Sequence, residues 1–368
     1  MKYYLIAGEA SGDLHGAHLV QELAKLDPAA EFRYWGGDAM AAAVGHEPVR
    51  HIRDLAIMGF VEVLAHLGTV LGNISFCKRD IAQWRPDVVI GIDYPGFNLK
   101  IEHWAHRHGI RTVHYIAPNL CAWKKGRIKS MRRDLDRLCY ILPFEQRFFA
   151  ENNMPQAKYV GHPLLDAVED HLIEPAFRGK RPVVALLPGS RRQELKRSLP
   201  LMVQLADRHP EYRFVVAGMS LLGEELYHSL IPQGSNVEVA YDQTYPLLAS
   251  AHAAVVCSGT ATLETALFNV PQVVCYRANP VSIAIAKAIV SRRIRYISLV
   301  NLIADKTVVT ELIQGDFNAA RLEREFQLVA ANDSNRTRMF TQYALLRQRL
   351  AGSGASRRTA QAILDLVQ

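Results

Sequence analysis

The chain has 368 residues, 49% of them hydrophobic and 21% charged, which excludes a disordered protein and exceeds what one compact core usually holds. Its 43 Lys and Arg against 36 Asp and Glu leave a formal charge of +7, so anionic partners are expected: nucleic acid, acidic lipid or a phosphorylated substrate. No apolar run approaches the roughly 18–20 residues of a spanning helix, and Glu9 and Asp13 come too early for a secretory signal.

Tyr3–Ala7 reads as the first buried strand of a cytoplasmic protein. The loop Gly8-Glu9-Ala10-Ser11-Gly12-Asp13 follows, with Gly16 a turn further on. Small residues let a backbone approach a ligand, and a helix start offers free N–H groups to oxygens, which makes this loop a candidate ligand contact. Asp13 either shares that duty or caps its helix. After a second strand at Phe32–Trp35, the stretch Ile57–Ile74 places Ile57, Phe60, Val61, Leu64, Leu67, Leu71 and Ile74 on one helical stripe. Arg50, Arg53, Lys78 and Arg79 frame it. Such a helix is either buried or laid into a lipid interface.

Val88–Ile92 is a near-continuous apolar strand ending in Gly91-Ile92-Asp93-Tyr94-Pro95-Gly96-Phe97-Asn98. Asp93 at the strand's C-terminal end can take a proton from a hydroxyl attacking a sugar carbon. Its competing role is an Asx-type turn ahead of Tyr94-Pro95. Further strands are expected at Thr112–Ile116, Leu138–Leu142 and Lys158–Val160. Between them, Trp123–Arg133 gathers six basic residues beside a tryptophan, a cluster worth roughly 1 kcal/mol per basic residue at an acidic leaflet. No base-stacking platform or nucleic-acid module accompanies it, so nucleic acid is not expected as a partner. No metal site is expected either. Asp134-Leu135-Asp136 ends a basic helix, and His103, His106 and His108 lack the i,i+4 spacing of a two-histidine metal face. Cys77, Cys121, Cys139, Cys257 and Cys275 read as reduced core residues.

The rhythm breaks at 166–181, read as a linker between domains 1–165 and 182–338, with helices over 339–368 interrupted at Gly352-Ser353-Gly354. The second domain's strands are expected at Val183–Leu187, Phe214–Ala217, Val237–Ala240, Ala254–Cys257, Gln272–Tyr276 and Tyr296–Leu299. After the first of them, Gly189 and Ser190 offer donors and Arg191 or Arg192 can clamp a diphosphate. After the fourth, Ser258, Gly259 and Thr260 open a helix whose dipole favours phosphate, and Glu264 can accept from ribose hydroxyls or simply complement that dipole. Ile283–Arg295 is another apolar helix ending in basic residues. The fold class is α/β, with two Rossmann-like domains facing each other across a cleft that binds ligands at strand ends. The absence of GxGxxG after either opening strand argues against a dinucleotide enzyme.

Taken together, AGEASGD (Ala7–Asp13), MGFVEVL (Met58–Leu64), GIDYPGFN (Gly91–Asn98), YIAPNLCAW (Tyr115–Trp123), PFE (Pro143–Glu145), VGHPLLD (Val160–Asp166), LPGSRRQEL (Leu187–Leu195), SGTATLE (Ser258–Glu264) and the stretch around Asn301 resemble the lipid-A-disaccharide synthase family. The resemblance runs over nearly the whole chain. It implies the GT-B fold and an inverting transfer that needs no metal and no cofactor. UDP-2,3-diacylglucosamine would donate its sugar to the 6-hydroxyl of 2,3-diacylglucosamine 1-phosphate, giving a β-1,6 disaccharide and UDP. It also implies Asp93 as base, UDP-side roles for Ser190, Arg191, Ser258, Gly259, Thr260, Glu264 and Asn301, and a cleft loop at Ser11 and Gly12. Location at the cytoplasmic face of a Gram-negative inner membrane, on anionic lipid, is the matching expectation. Ala117-Pro118 and Cys121-Ala122-Trp123 depart from the family's Ser-Pro and Trp-Ala-Trp, which bears on acyl-chain preference. Two rivals stand beside this reading: a GT-B enzyme using UDP-GlcNAc (a hydrolysing 2-epimerase or the peptidoglycan GlcNAc transferase), and a non-catalytic protein that binds acidic membranes.

Overall fold

The computed structural model describes residues 1–55, 67–118, 127–169, 174–177, 179–277, 295–350 and 352–367. The chain divides into two compact units, Met1–Asp166 with Gly352–Gln368, and Ala167–Ala351.

In the first unit the strands are β1 (Lys2–Ala7), β2 (Glu31–Gly36), β3 (Arg50–His51), β4 (Val88–Ile92), β5 (Arg111–Tyr115), β6 (Arg137–Tyr140) and β7 (Ala157–Tyr159). They form one parallel sheet in the order β3-β2-β1-β4-β5-β6-β7. Alternate side chains go to opposite faces. Tyr3, Leu5, Val88, Ile90 and Ile92 pack with Leu19, Val20 and Leu23 of the helix Ala10–Leu26. Tyr4, Ile6, Trp35 and Val89 pack on the other face with Cys77 and Ile81 of Leu67–Trp84 and Ile101 of Pro95–Arg107. Each such side chain, fully buried, contributes roughly 1.5–3 kcal/mol, which explains why runs like VVIGI form central strands.

The chain returns to this unit at its end. The carboxylate of Asp166 accepts from the backbone N–H groups of Gly354 (2.5 Å), Ala355 (3.2 Å) and Ser356 (2.9 Å), at the start of the helix Ala355–Val367. Negative charge at a helix start is stabilising, and Ile363 completes the anchoring by joining the sheet core. The stretch 339–368 is therefore divided between the units. The helix Asp333–Arg349 stays with the second, and the left-handed Gly352 and Gly354 mark the break.

The second unit contains β8 (Val183–Leu187), β9 (Arg213–Gly218), β10 (Val237–Tyr241), β11 (Ala251–Cys257), β12 (Gln272–Tyr276) and β13 (Thr310–Ile313), all parallel, in the order β10-β9-β8-β11-β12-β13. One expected strand is corrected here. Tyr296–Leu299 is not a strand but the approach to the helix Leu299–Ala304, held by Glu311, which accepts from the N–H groups of Ile297 (3.0 Å) and Ser298 (2.9 Å). The sixth strand is instead Thr310–Ile313, a half-polar sheet edge without the apolar run that marks central strands.

Cys77, Cys139, Cys257 and Cys275 are buried free thiols; Cys121 lies outside the described residues. No helix among the described residues is long and apolar enough to cross a membrane. Of the stripe Ile57–Ile74, residues 57–66 lie outside the described residues; further on, Ile74 is buried and Leu71 is 54% exposed. The motif Met58–Leu64, the tryptophan end of the basic cluster and nearly all of Ile283–Arg295 are likewise outside.

Candidate active site

In both units the chain order reverses beside the opening strand. β1 lies between β2 and β4, and β8 between β9 and β11. At such a switch point the loops leaving the two central strands diverge and open a crevice at their C-terminal ends. The four loops singled out in the sequence are those that follow β1, β4, β8 and β11.

In the first unit, Ala7 pairs with Ile92, so the loops after β1 and β4 start side by side. A Cβ on Gly8 would stand 2.4 Å from Cδ1 of Tyr94, so the tyrosine ring lies directly on the glycine. A Cβ on Gly12 would meet the Ile92 carbonyl oxygen at 3.6 Å, so this glycine sits close against the strand ends, while Ser11 is exposed. Asp13 does neither of the things expected of it. Buried, it accepts from the N–H groups of Gly37 (2.6 Å), Ala39 (3.0 Å) and Met40 (3.2 Å), capping the neighbouring helix Asp38–Val44 rather than its own. Its own helix has Glu9 at the cap position.

Asp93 and Tyr94 both have φ of +47°, a left-handed conformation uncommon outside glycine and typical of strained functional turns. The turn is pinned from two sides. The N–H of Asp93 donates to Tyr115 O (2.9 Å), and Asn98 Nδ2 donates to Asp93 O (2.7 Å) and Ile6 O (3.2 Å). Burial raises the Asp93 carboxyl above the ordinary aspartate range, while the charge of His114 and the Tyr94 N–H pull it back. His114 is fully buried, with Nδ1 2.7 Å from Glu102 Oε1. Neither His114 nor Glu102 stands out in the sequence. The available signals were Gly91 inside an otherwise apolar strand and the i,i+4 spacing of Asn98 and Glu102 on the helix that follows.

In the second unit, Leu187 pairs with Val256, bringing the loops after β8 and β11 together. Gly189 is left-handed at φ +110°, and a Cβ there would fall 2.6 Å from Glu194 Oε2. Ser190 is exposed. The two arginines part company. Arg192 donates to Leu222 O (2.9 Å), whereas Arg191 stands at the cap of the helix Arg192–Arg208 with its side chain 69% exposed, 3.5 Å from Glu194. Ser258 Oγ donates to Ile297 O (3.0 Å); Gly259 and Thr260 are exposed at the start of the helix Thr260–Leu267. Glu264, one turn further, accepts from Tyr245 Oη (3.1 Å), and its carboxyl is raised by burial. Asn301 is buried and committed within the chain. Its Oδ1 accepts from the N–H groups of Val308 (2.7 Å) and Val309 (3.0 Å), and its Nδ2 donates to Val309 O and Glu311 Oε1, both at 2.9 Å. It supports the Ile297–Ser298 segment that Ser258 touches.

The acid and histidine groups discounted as metal ligands are engaged elsewhere. Asp134 pairs with Arg133 and His103, and Asp136 accepts from Thr112 N (2.8 Å).

The family model for lipid-A-disaccharide synthetase matches residues 3–365. The lipid-A-disaccharide synthase of Geobacter sulfurreducens is 35% identical over 99% of this chain and 96% of its own length. That of Chromohalobacter salexigens is 37% identical over 100% of this chain and 97% of its own. Among solved structures, the UDP-GlcNAc 2-epimerase of Neisseria meningitidis bound to UDP-GlcNAc is similar with a TM-score of 0.69, at 13% identity over 99% of this chain and 100% of that one. The glycotransferase of kitacinnamycin is similar with a TM-score of 0.65, at 16% identity over 99% of this chain and 98% of that one. At these identities the structural likeness speaks for the fold, which is α/β of the GT-B class.

Proposed function

The chain belongs to the lipid-A-disaccharide synthase family, a glycosyltransferase family of lipid A biosynthesis, and on that premise we propose a division of labour between its two units. It is an enzyme that uses a UDP-sugar donor and a sugar acceptor to form the lipid A disaccharide. The donor in this reading is UDP-2,3-diacylglucosamine and the acceptor 2,3-diacylglucosamine 1-phosphate.

The second unit holds UDP. Arg191, whose side chain meets no backbone group among the described residues, and the exposed Ser190 meet the diphosphate together with the helix start at Ser258, Gly259 and Thr260. Glu264 accepts from the ribose, oriented by Tyr245, and Asn301 supports the loop behind Ser258. The first unit supplies the base. Asp93 takes the proton of the acceptor's 6-hydroxyl as that oxygen attacks the anomeric carbon, while Ser11 and Gly12 border the same crevice. Inversion follows from one in-line displacement, and charge building on departing UDP is met by Arg191 and the helix dipole.

The observation that carries this reading is the pinned left-handed turn at Asp93, which stores strain at the C-terminal end of β4 beside the switch point. Association with an anionic membrane surface is part of the proposal. On the helix Arg127–Asp134, Lys129, Arg132 and Arg133 are exposed while Ile128 and Met131 are buried, so the basic groups share the solvent side where acidic headgroups would compete with Asp134 for Arg133 and with Asn152 O for Arg132. The test offers the protein the diacyl donor and acceptor, and separately plain UDP-GlcNAc. Disaccharide and UDP from the diacyl pair are expected; turnover of UDP-GlcNAc alone would overturn the substrate assignment.

A further inference from the structure

The pair His114–Glu102 lies beneath the Asp93 turn, and the transfer as described leaves it unused. Both residues are 0% exposed. Apolar residues of similar volume often replace such a buried ion pair at no loss of stability, so its presence calls for another reason.

Three elements build it. His114 on β5 stands opposite Gly91 on β4 in the sheet register. A Cβ on Gly91 would lie 2.2 Å from Glu102 Oε1 and 2.9 Å from Asn98 Cβ, so the missing side chain is the space through which Glu102 reaches the imidazole. Asn98 and Glu102, four residues apart on the helix Pro95–Arg107, share one face. Asn98 holds the Asp93 carbonyl and Glu102 holds His114 Nδ1. The remaining polar atoms, Glu102 Oε2 and His114 Nε2, have no hydrogen-bond partner among the described residues. Among the described residues, the charge acting on Asp93 is that of His114 from β5, with Glu102 behind it. Burial opposes protonation of His114, yet the charge and hydrogen bond of Glu102, the charge of Asp93 and the Ile116 backbone together outweigh it and favour the imidazolium.

We propose that His114, held by Glu102, is a positioning residue for Asp93 whose positive charge keeps that carboxylate ionised in its buried setting. The inference rests on the reading of Asp93 as base. His114 passes on no proton. The acceptor oxygen forms its bond to the anomeric carbon, the bond from that carbon to the phosphate oxygen breaks with its electrons leaving on UDP, and the acceptor's proton stays on Asp93 until solvent takes it.

The test is the pH profile of kcat/KM between pH 5 and 9 for the full-length enzyme, His114→Gln, Glu102→Gln and Asp93→Asn. Loss of the nearby positive charge should move the acid limb upward by roughly 1–3 pH units in His114→Gln. The shift should be smaller in Glu102→Gln, with activity recovering toward the wild-type plateau at alkaline pH in both. An unmoved limb with a uniform loss at every pH, while Asp93→Asn is inactive, would overturn this proposal alone. Near-wild-type turnover of Asp93→Asn would overturn the base assignment and this proposal with it. Should neither pocket variant fold, 15N-histidine spectra of the wild-type enzyme decide. The imidazole signal that Asp93→Asn perturbs should stay doubly protonated to higher pH than that of an ordinary histidine, and an imidazole that loses its proton in or below the ordinary histidine range would contradict the inference.

Discussion

The ring of Tyr94 occupies the space that a side chain at Gly8 would need, with 2.4 Å between a Cβ there and Tyr94 Cδ1. The loop after β1 thereby fixes the loop after β4, and Tyr94 is the immediate neighbour of Asp93. Gly8→Ala should push the ring away and misplace the carboxylate. A displacement of about 1 Å costs on the order of 10²-fold in rate, so kcat should fall by about that much. The double variant Gly8→Ala/Tyr94→Ala relieves the clash and should be at least as active as Gly8→Ala. Steady-state kinetics of both variants check this, and a fully active Gly8→Ala would refute the contact's importance.

Adjacent arginines should fail differently. Arg191→Ala removes a donor without a backbone duty, so kcat/KM for the UDP-sugar should fall by about 10²–10³ at an unchanged melting temperature. Arg192→Ala removes the hydrogen bond to Leu222 O and should appear chiefly as lost stability, about 1–3 kcal/mol. Parallel kinetics and thermal melts separate the two.

Asn301→Ala leaves the N–H groups of Val308 and Val309 without their acceptor inside the protein. A loss of about 2–4 kcal/mol is expected from this kind of defect, read as a lowered denaturant midpoint. Unchanged stability with weakened UDP binding would instead make Asn301 a direct ligand contact.

Acid should weaken the first unit through two histidines. Burial holds His15 down to about 4 and His162 down to about 3. In the unfolded chain both take protons near pH 6.5, so between that value and their folded values the unfolded state binds more protons than the native one. Stability is therefore full above pH 6.5 and is lost as pH falls, by about 1.4 kcal/mol per unit for each group inside its window. His162 Nδ1 accepts from Leu164 N (3.2 Å), a role asparagine can imitate. Melting temperatures of His162→Asn between pH 4.5 and 7.5 should show a flatter slope than wild type; an equal slope would count against the assignment.

Much of this was legible because parallel strands buried on both faces leave near-continuous apolar runs. Val88–Ile92, Val183–Leu187 and Gln272–Tyr276 coincide with strands end to end. Glycine and serine at strand-following loops were equally visible. What escaped depends on partners distant in sequence. The edge strand Thr310–Ile313 is held by pairing with β12 rather than by its own apolarity. The final helix belongs to the first unit because Asp166 caps it from 188 to 190 residues away. His114 meets Glu102 only because the β4–β5 register sets the imidazole opposite Gly91. Asp13 illustrates the reverse error: a carboxylate in a loop of apparent chemistry is spent on a neighbouring helix.

The most direct measurement is turnover of Asp93→Asn with the diacyl donor and acceptor, beside its affinity for UDP. A positioned base typically supplies about 10²–10⁴ in rate, so kcat should drop by that factor while UDP binding stays near wild type. Near-wild-type kcat in a folded Asp93→Asn enzyme would contradict the account.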